Sequence, residues 1–338
     1  MKGPVMEFTF SPAWWHANHG MDFSEGFWRD PVARTERDIR QRRLLFERFG
    51  DVRMGEENPL PRPNIEAHGH RFMAAFWGCN IVFFPDQSPG AQVLPDARVR
   101  MENLEVPDPE ASPVVKRALS EAHLLRKRYG SCYGGFNTGG PLNNAVSVFG
   151  QEMLVACLTD PELAKSVLRK MGEALLMVDD RVTRLINGDD PGSPRMDGGL
   201  ANCQAAMISP QTYSEVVFPV DRWFREQFHG SWNLHHCGVF HPYADAYRLL
   251  YPSRIDVGRG TDYRATRRSF PHTPISIEVH PFDLAGKTQK EIDDLIARTV
   301  EEAGPLELVV RLWVAEAGTE IPDQTVRDFV TVAARIFR

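Results

Sequence analysis

The feature that most constrains this chain is the regular alternation of short apolar runs and longer amphipathic ones over residues 194–338. "SWNLHH" (231–236), "RIDVG" (254–258), "PISIEV" (274–279) and "LELVVRLWV" (306–314) read as strands, and "PRMDG" (194–198) as one that ends in Asp197. Between and after them, "SPQTYSEVVFPVDRWFREQF" from Ser209, "HPYADAYRLL", "DYRATRRSF", "TQKEIDDLIARTVEEA" capped by Thr288, and "PDQTVRDFVTVAARIF" read as helices. Apolar strands that alternate with helices indicate a parallel sheet buried on both faces. Five such βα units without a break in composition predict an α/β protein, a single (β/α)8 TIM-type barrel spanning residues 1–338.

The N-terminal half is less regular. Residues 1–30, rich in Trp, His and Phe, are expected to form an irregular cover segment, with Trp14, Trp15, His16 and His19 either packing or lining a pocket. A helix is predicted from Pro31 to Phe49, and its arginines (Arg34, Arg37, Arg40, Arg42, Arg43), interleaved with Glu36 and Asp38, are expected on a solvated face. "NIVFFP" (80–85) reads as a buried strand, and helices are expected over 112–129, 145–158 and 160–187. The glycine-rich "GSCYGGFNTGGPLNNA" matches neither the P-loop nor the dinucleotide fingerprint. Tyr133 and Asn137 within it are candidate cofactor-binding residues by position.

Composition excludes several classes. A formal charge of −6 argues against a nucleic-acid or anionic-membrane surface. No run reaches the roughly 18–20 apolar residues of a membrane span, and "MKGPVMEFTF" lacks the apolar core of a signal peptide. Five scattered cysteines without a CxxC pair suit free thiols in a reducing cytoplasm.

In a barrel the chemistry lies at the C-terminal ends of the strands. The polar residues expected there are Asp197, His235, Cys237, Asp256, Glu278, His280 and Glu316. Side chains alternate along a strand, so His235 and Cys237 share one side and His236 takes the other. An imidazole and a thiolate on one side form half of a zinc site, and Gly238 lets the chain turn away.

The stretch "MISPQTYSEVVFPVDRWF" followed by "LHHCG" resembles the uroporphyrinogen decarboxylase superfamily, in particular its corrinoid-dependent methyltransferase branch. Further matches are "GQEMLVACLTDPELAKSVLRKM" (150–171), "IDVGRGTDYRATRRSFP" (255–271) and "EIPDQTVRDFV" (320–330). The resemblance covers about residues 145–338 well and the rest loosely. "SPAWWHANHG" stands where decarboxylases carry an arginine-rich substrate motif.

The resemblance implies a barrel that binds Zn²⁺ through the HxC pair and a late cysteine. The metal would activate a small molecule for methyl exchange with cobalamin carried on a corrinoid-binding partner protein. This chain departs from that pattern, because no cysteine follows Cys237 and Thr319 occupies roughly the late position. Glu316, at the end of its strand, is the expected third ligand, with Glu278, Glu320 and Cys203 as the alternatives. A carboxylate ligand would make the metal harder and favour an ether or hydroxyl substrate over a thiol. Asp197 and Glu278 are the candidate catalytic residues. Two other readings stay open: a lyase or decarboxylase built on Asp197, and a non-catalytic corrinoid- or tetrapyrrole-binding module.

Overall fold

The computed structural model describes residues 5–65, 71–134, 139–190 and 193–337. Eight strands lie along these residues: β1 (Val5–Phe10), β2 (Ile81–Val82), β3 (Gly90–Ala91), β4 (Gly198–Ala201), β5 (Trp232–His236), β6 (Arg254–Val257), β7 (Ile275–Glu278) and β8 (Val309–Ala317). The chain divides into two compact units, Met1–Met21 with Arg195–Arg338, and Asp22–Pro194.

The first unit is α/β. Its sheet has the order β1-β8-β7-β6-β5-β4, and every pairing is parallel. Six parallel strands with the first beside the last are consistent with the expected TIM-type barrel, although no closed ring of eight is formed among the described residues. β6 and β7 are buried along nearly their whole length, as strands covered on both faces must be. The helices begin where the sequence signals them. Ser209 accepts from the Thr212 amide, Asp262 from that of Ala265, and Thr288 forms a capping box with Glu291.

The N-terminus differs from expectation. "VMEFTF" is not irregular: it is β1, in register with Val5 opposite Arg311 and Phe8 opposite Val314. Phe8 and Phe10 alternate inward, and the helix Pro12–His19 lays Trp14 on Phe10, with ring centroids 4.0 Å apart. Trp14 and Trp15 are therefore core residues.

The expected strand "LELVVRLWV" lies three residues later, as β8, and "PRMDG" shifts as well. β4 starts only at Gly198, so Asp197 precedes the strand instead of ending it. A β-carbon at Gly198 would lie 2.6 Å from the Phe228 ring, so packing demands glycine where strand propensity disfavours it.

The second unit is mainly helical. Its helices Pro31–Phe49, Pro113–Tyr129, Pro141–Phe149, Gln151–Thr159 and Pro161–Val178 mostly follow prediction. Gly150, at φ +62°, splits the helix expected over 145–158. "NIVFFP" yields only β2, a half-buried two-residue strand antiparallel to β3. Two residues of the arginine run are not solvated. Arg34 is buried and pairs with buried Glu121 at 2.6 Å, while Arg42 bridges Asp38 and Glu56. No helix among the described residues is long and apolar enough to cross a membrane.

Candidate metal centre

The C-terminal ends of β4 and β5 bring three metal-ligating side chains together. β4 leads through fully buried Asn202 into a one-turn 3-10 helix that starts at Cys203, and β5 leads through His235 to Cys237. The ligating atoms of Cys203, His235 and Cys237 all lie within 4.8 Å of one another. The Cys203 and Cys237 sulfurs are 2.7 Å apart as free thiols, and His235 Nε2 is 2.8 Å from Cys237 Sγ.

The backbone under this cluster is fixed from several sides. The Asn202 N–H donates to the His235 carbonyl at 2.8 Å, and its side-chain amide donates to Asp221 Oδ2 at 2.9 Å. The Tyr213 hydroxyl donates to the same carboxylate oxygen at 2.7 Å. The Tyr243 hydroxyl meets the carbonyls of Ala205 and Ile208, at 3.0 and 2.8 Å, and so ties down the turn after Cys203. Gly258, at the end of β6, presses on the Cys237 backbone. A β-carbon there would sit 1.9 Å from the Cys237 carbonyl oxygen. The Gly258 N–H donates to the His236 carbonyl at 3.0 Å.

Electrostatics couple the three groups. The hydrogen bond with Cys237 and, secondarily, His235 hold the Cys203 thiol well below the ordinary thiol range, against the effect of burial. Cys237 moves the opposite way, because it keeps the proton it shares with Cys203 and is partly desolvated. Burial alone would lower His235, but Asp256 and the Cys203 thiolate outweigh it and push the imidazole up to about 10. Two sulfurs and an imidazole nitrogen at one point suit a soft divalent ion such as zinc.

Around this group stand two carboxylates. Asp256, register partner of His235 on β6, places Oδ2 3.8 Å from His235 Nδ1. Glu278 at the end of β7 is half-buried, and its Oε2 is enclosed without a hydrogen-bond partner. Burial raises its carboxyl above the usual range, with His235 pulling the other way.

None of the remaining described sequence candidates belongs to the three-residue group. Glu316 is exposed at the end of β8 in a left-handed conformation (φ +53°), where its amide donates to Thr9 Oγ1. It is not part of the three-residue group, and Cys203 stands in the third place. Asp197 sits before β4, at the opposite end of the strand from Cys203, and accepts from the Ser231 amide and hydroxyl at 3.1 and 2.5 Å. The Ser231 hydrogen bonds lower its carboxyl further. His280 caps the short helix Pro281–Leu284. Tyr133 belongs to the second unit and is exposed, and Asn137 lies outside the described residues.

His236 takes the other face of β5, as strand alternation requires. It is fully buried, its Nδ1 lies 2.9 Å from the Tyr247 hydroxyl, and burial lowers it to about 4.

No family model matches the chain, and no curated protein matches its sequence. Its structure is similar to that of a methyltransferase from Methanosarcina mazei, with a TM-score of 0.66 and 15% identity, covering 100% of this chain and 95% of that one. At that identity the likeness shows the fold. The chain thus has a fold shared with this methyltransferase.

Proposed function

We propose that this chain is a metal-dependent methyltransferase that moves a methyl group between a small molecule and a corrinoid cofactor carried on a partner protein. The observation that carries the reading is the convergence of Cys203, His235 and Cys237 at the strand ends of a fold shared with a methyltransferase. Three protein ligands are the count of a catalytic zinc site, which keeps one position for a substrate. A bound Zn²⁺ supplies a Lewis acid that keeps a coordinated thiol or hydroxyl ionised near neutral pH.

The chain's own residues do the rest. Cys203 in place of Glu316 makes the donor set soft again, and this favours a thiol over an ether or hydroxyl as the methyl partner. To Glu278, raised by burial and with an unpartnered oxygen, we assign the role of taking the proton that an incoming thiol gives up. The lyase reading has less support, because Asp197 lies at the far end of β4, held by Ser231.

The test is methyl transfer from free methylcobalamin, standing in for the partner-bound cofactor, to a panel of small thiols, followed by the change in corrinoid absorbance. Transfer should require zinc and disappear in Cys203→Ser. Transfer at an unchanged rate after the metal is stripped contradicts the proposal.

A further inference from the structure

We propose that Asp256 is a positioning residue for the metal centre: it accepts a hydrogen bond from His235 Nδ1 and so directs Nε2 at the metal. The proposal rests on the metal-site reading above and assigns a role that neither the HxC motif nor the three-residue cluster specifies.

A neutral histidine that ligates through one ring nitrogen carries a proton on the other, and the acceptor of that proton sets both tautomer and ring orientation. In this chain the two ring nitrogens of His235 face different chemistry. Nε2 lies 2.8 Å from Cys237 Sγ, on the sulfur side. Nδ1 faces Asp256 Oδ2 at 3.8 Å, an ion-pair contact longer than a hydrogen bond, which is expected to shorten to one when a metal fixes the ring.

The backbone brings the two side chains together. His235 and Asp256 are register partners on adjacent parallel strands, so their side chains leave the sheet on the same side. The close approach of Gly258 to the Cys237 carbonyl locks the end of β6 against the end of β5, which fixes Asp256 relative to both ligands. Asp256 is only 9% exposed. A carboxylate so enclosed needs partners: His235, Arg254, whose Nε stands 3.4 Å from Oδ1 as an ion-pair contact, and Ser276, its register partner on β7, surround it, yet Oδ1 has no hydrogen bond. Arg254, two residues earlier on the same strand, faces Oδ1, and Oδ2 faces the histidine.

Zinc affinity measured by competition with a chromogenic chelator tests the assignment without reference to activity. Asp256→Asn should bind zinc about tenfold to a hundredfold more weakly than the wild type. Asp256→Glu, which restores a carboxylate, should recover much of the loss, and the Co²⁺-loaded Asp256→Asn protein should keep its thiolate-to-metal absorption. Equal affinity in Asp256→Asn and wild type, or equal loss in the Asn and Glu variants, overturns the proposal. Histidine ¹H–¹⁵N NMR of the zinc-loaded wild type needs no variant. It should show His235 bound through Nε2 with a low-field Nδ1 proton, and ligation through Nδ1 also overturns the proposal. If the wild type binds no zinc, the metal-site reading itself has failed; if it binds zinc and Asp256→Asn binds as well, only the role of Asp256 has.

Discussion

His235 and His236 are adjacent in one strand, yet the two faces of β5 give them opposite chemistry. His235 is part-exposed, flanked by two sulfurs and a carboxylate, and raised to about 10. His236 is sealed among Tyr243, Tyr247 and Phe240, lowered to about 4, and therefore neutral. Nothing in the imidazole distinguishes them; the pleat does. One face gathers groups that bind protons and metals, and the other turns the same side chain into a hydrogen-bonded part of the core.

The comparison breaks most visibly on the ligand face. Replacing Cys203 or Cys237 by Ser, or His235 by Ala, should weaken zinc binding by about a hundredfold or more, measured by chelator competition, because a soft ligand is lost outright. On the buried face, His236→Ala should leave zinc affinity unchanged. It should instead lower unfolding stability by about 2–4 kcal/mol in urea titrations, from the cavity and from the Tyr247 hydroxyl left without its partner. Loss of zinc from His236→Ala while the fold stays intact would erase the distinction between the faces.

A smaller effect concerns the support beneath the ligands. Burial raises the carboxyl of Asp221 to about 7, against the hydrogen bonds from Tyr213 and Asn202. Between its ordinary value and about 7 the native state therefore binds more protons than the unfolded state. Its contribution to stability is full at low pH and is lost as pH rises through about 7. The difference in unfolding free energy between wild type and Asp221→Asn should shift against the wild type by on the order of 1–3 kcal/mol from pH 4 to pH 8. A flat difference contradicts the burial account. The smallest expected effect is that of Glu316→Gln: zinc affinity within about twofold of wild type, as for an exposed side chain outside the cluster.

How much of this was legible in the sequence follows from the same strand geometry. The HxC spacing alone places His235 and Cys237 on one face, and the apolar runs around β5 to β7 carry their own boundaries, while β8 starts and ends three residues later than its apolar run. β1 was hidden because its partner, β8, lies some three hundred residues away, and a short aromatic run has no local signal that distinguishes a strand from a loop. β4 was hidden by its glycines. "GGLA" has little strand propensity and takes its conformation from close packing against Phe228 and Trp232. Reading the strand four residues early put Asp197 at its C-terminal end and left Cys203 stranded beyond it. With β4 in place, Cys203 follows a strand end just as Cys237 does. Asp256 was visible as a polar residue at a strand end, but its role depends on the β5–β6 register, which sequence alone does not provide.

The central claim is that Cys203, and not Glu316, completes the site with His235 and Cys237. X-ray absorption at the zinc edge of the loaded wild-type protein tests it most directly. The structure predicts about one bound zinc with two sulfur ligands and one imidazole from the protein, the sulfur signal halved in Cys203→Ser and unchanged in Glu316→Gln. A shell with one sulfur and a carboxylate oxygen that vanishes in Glu316→Gln would contradict it.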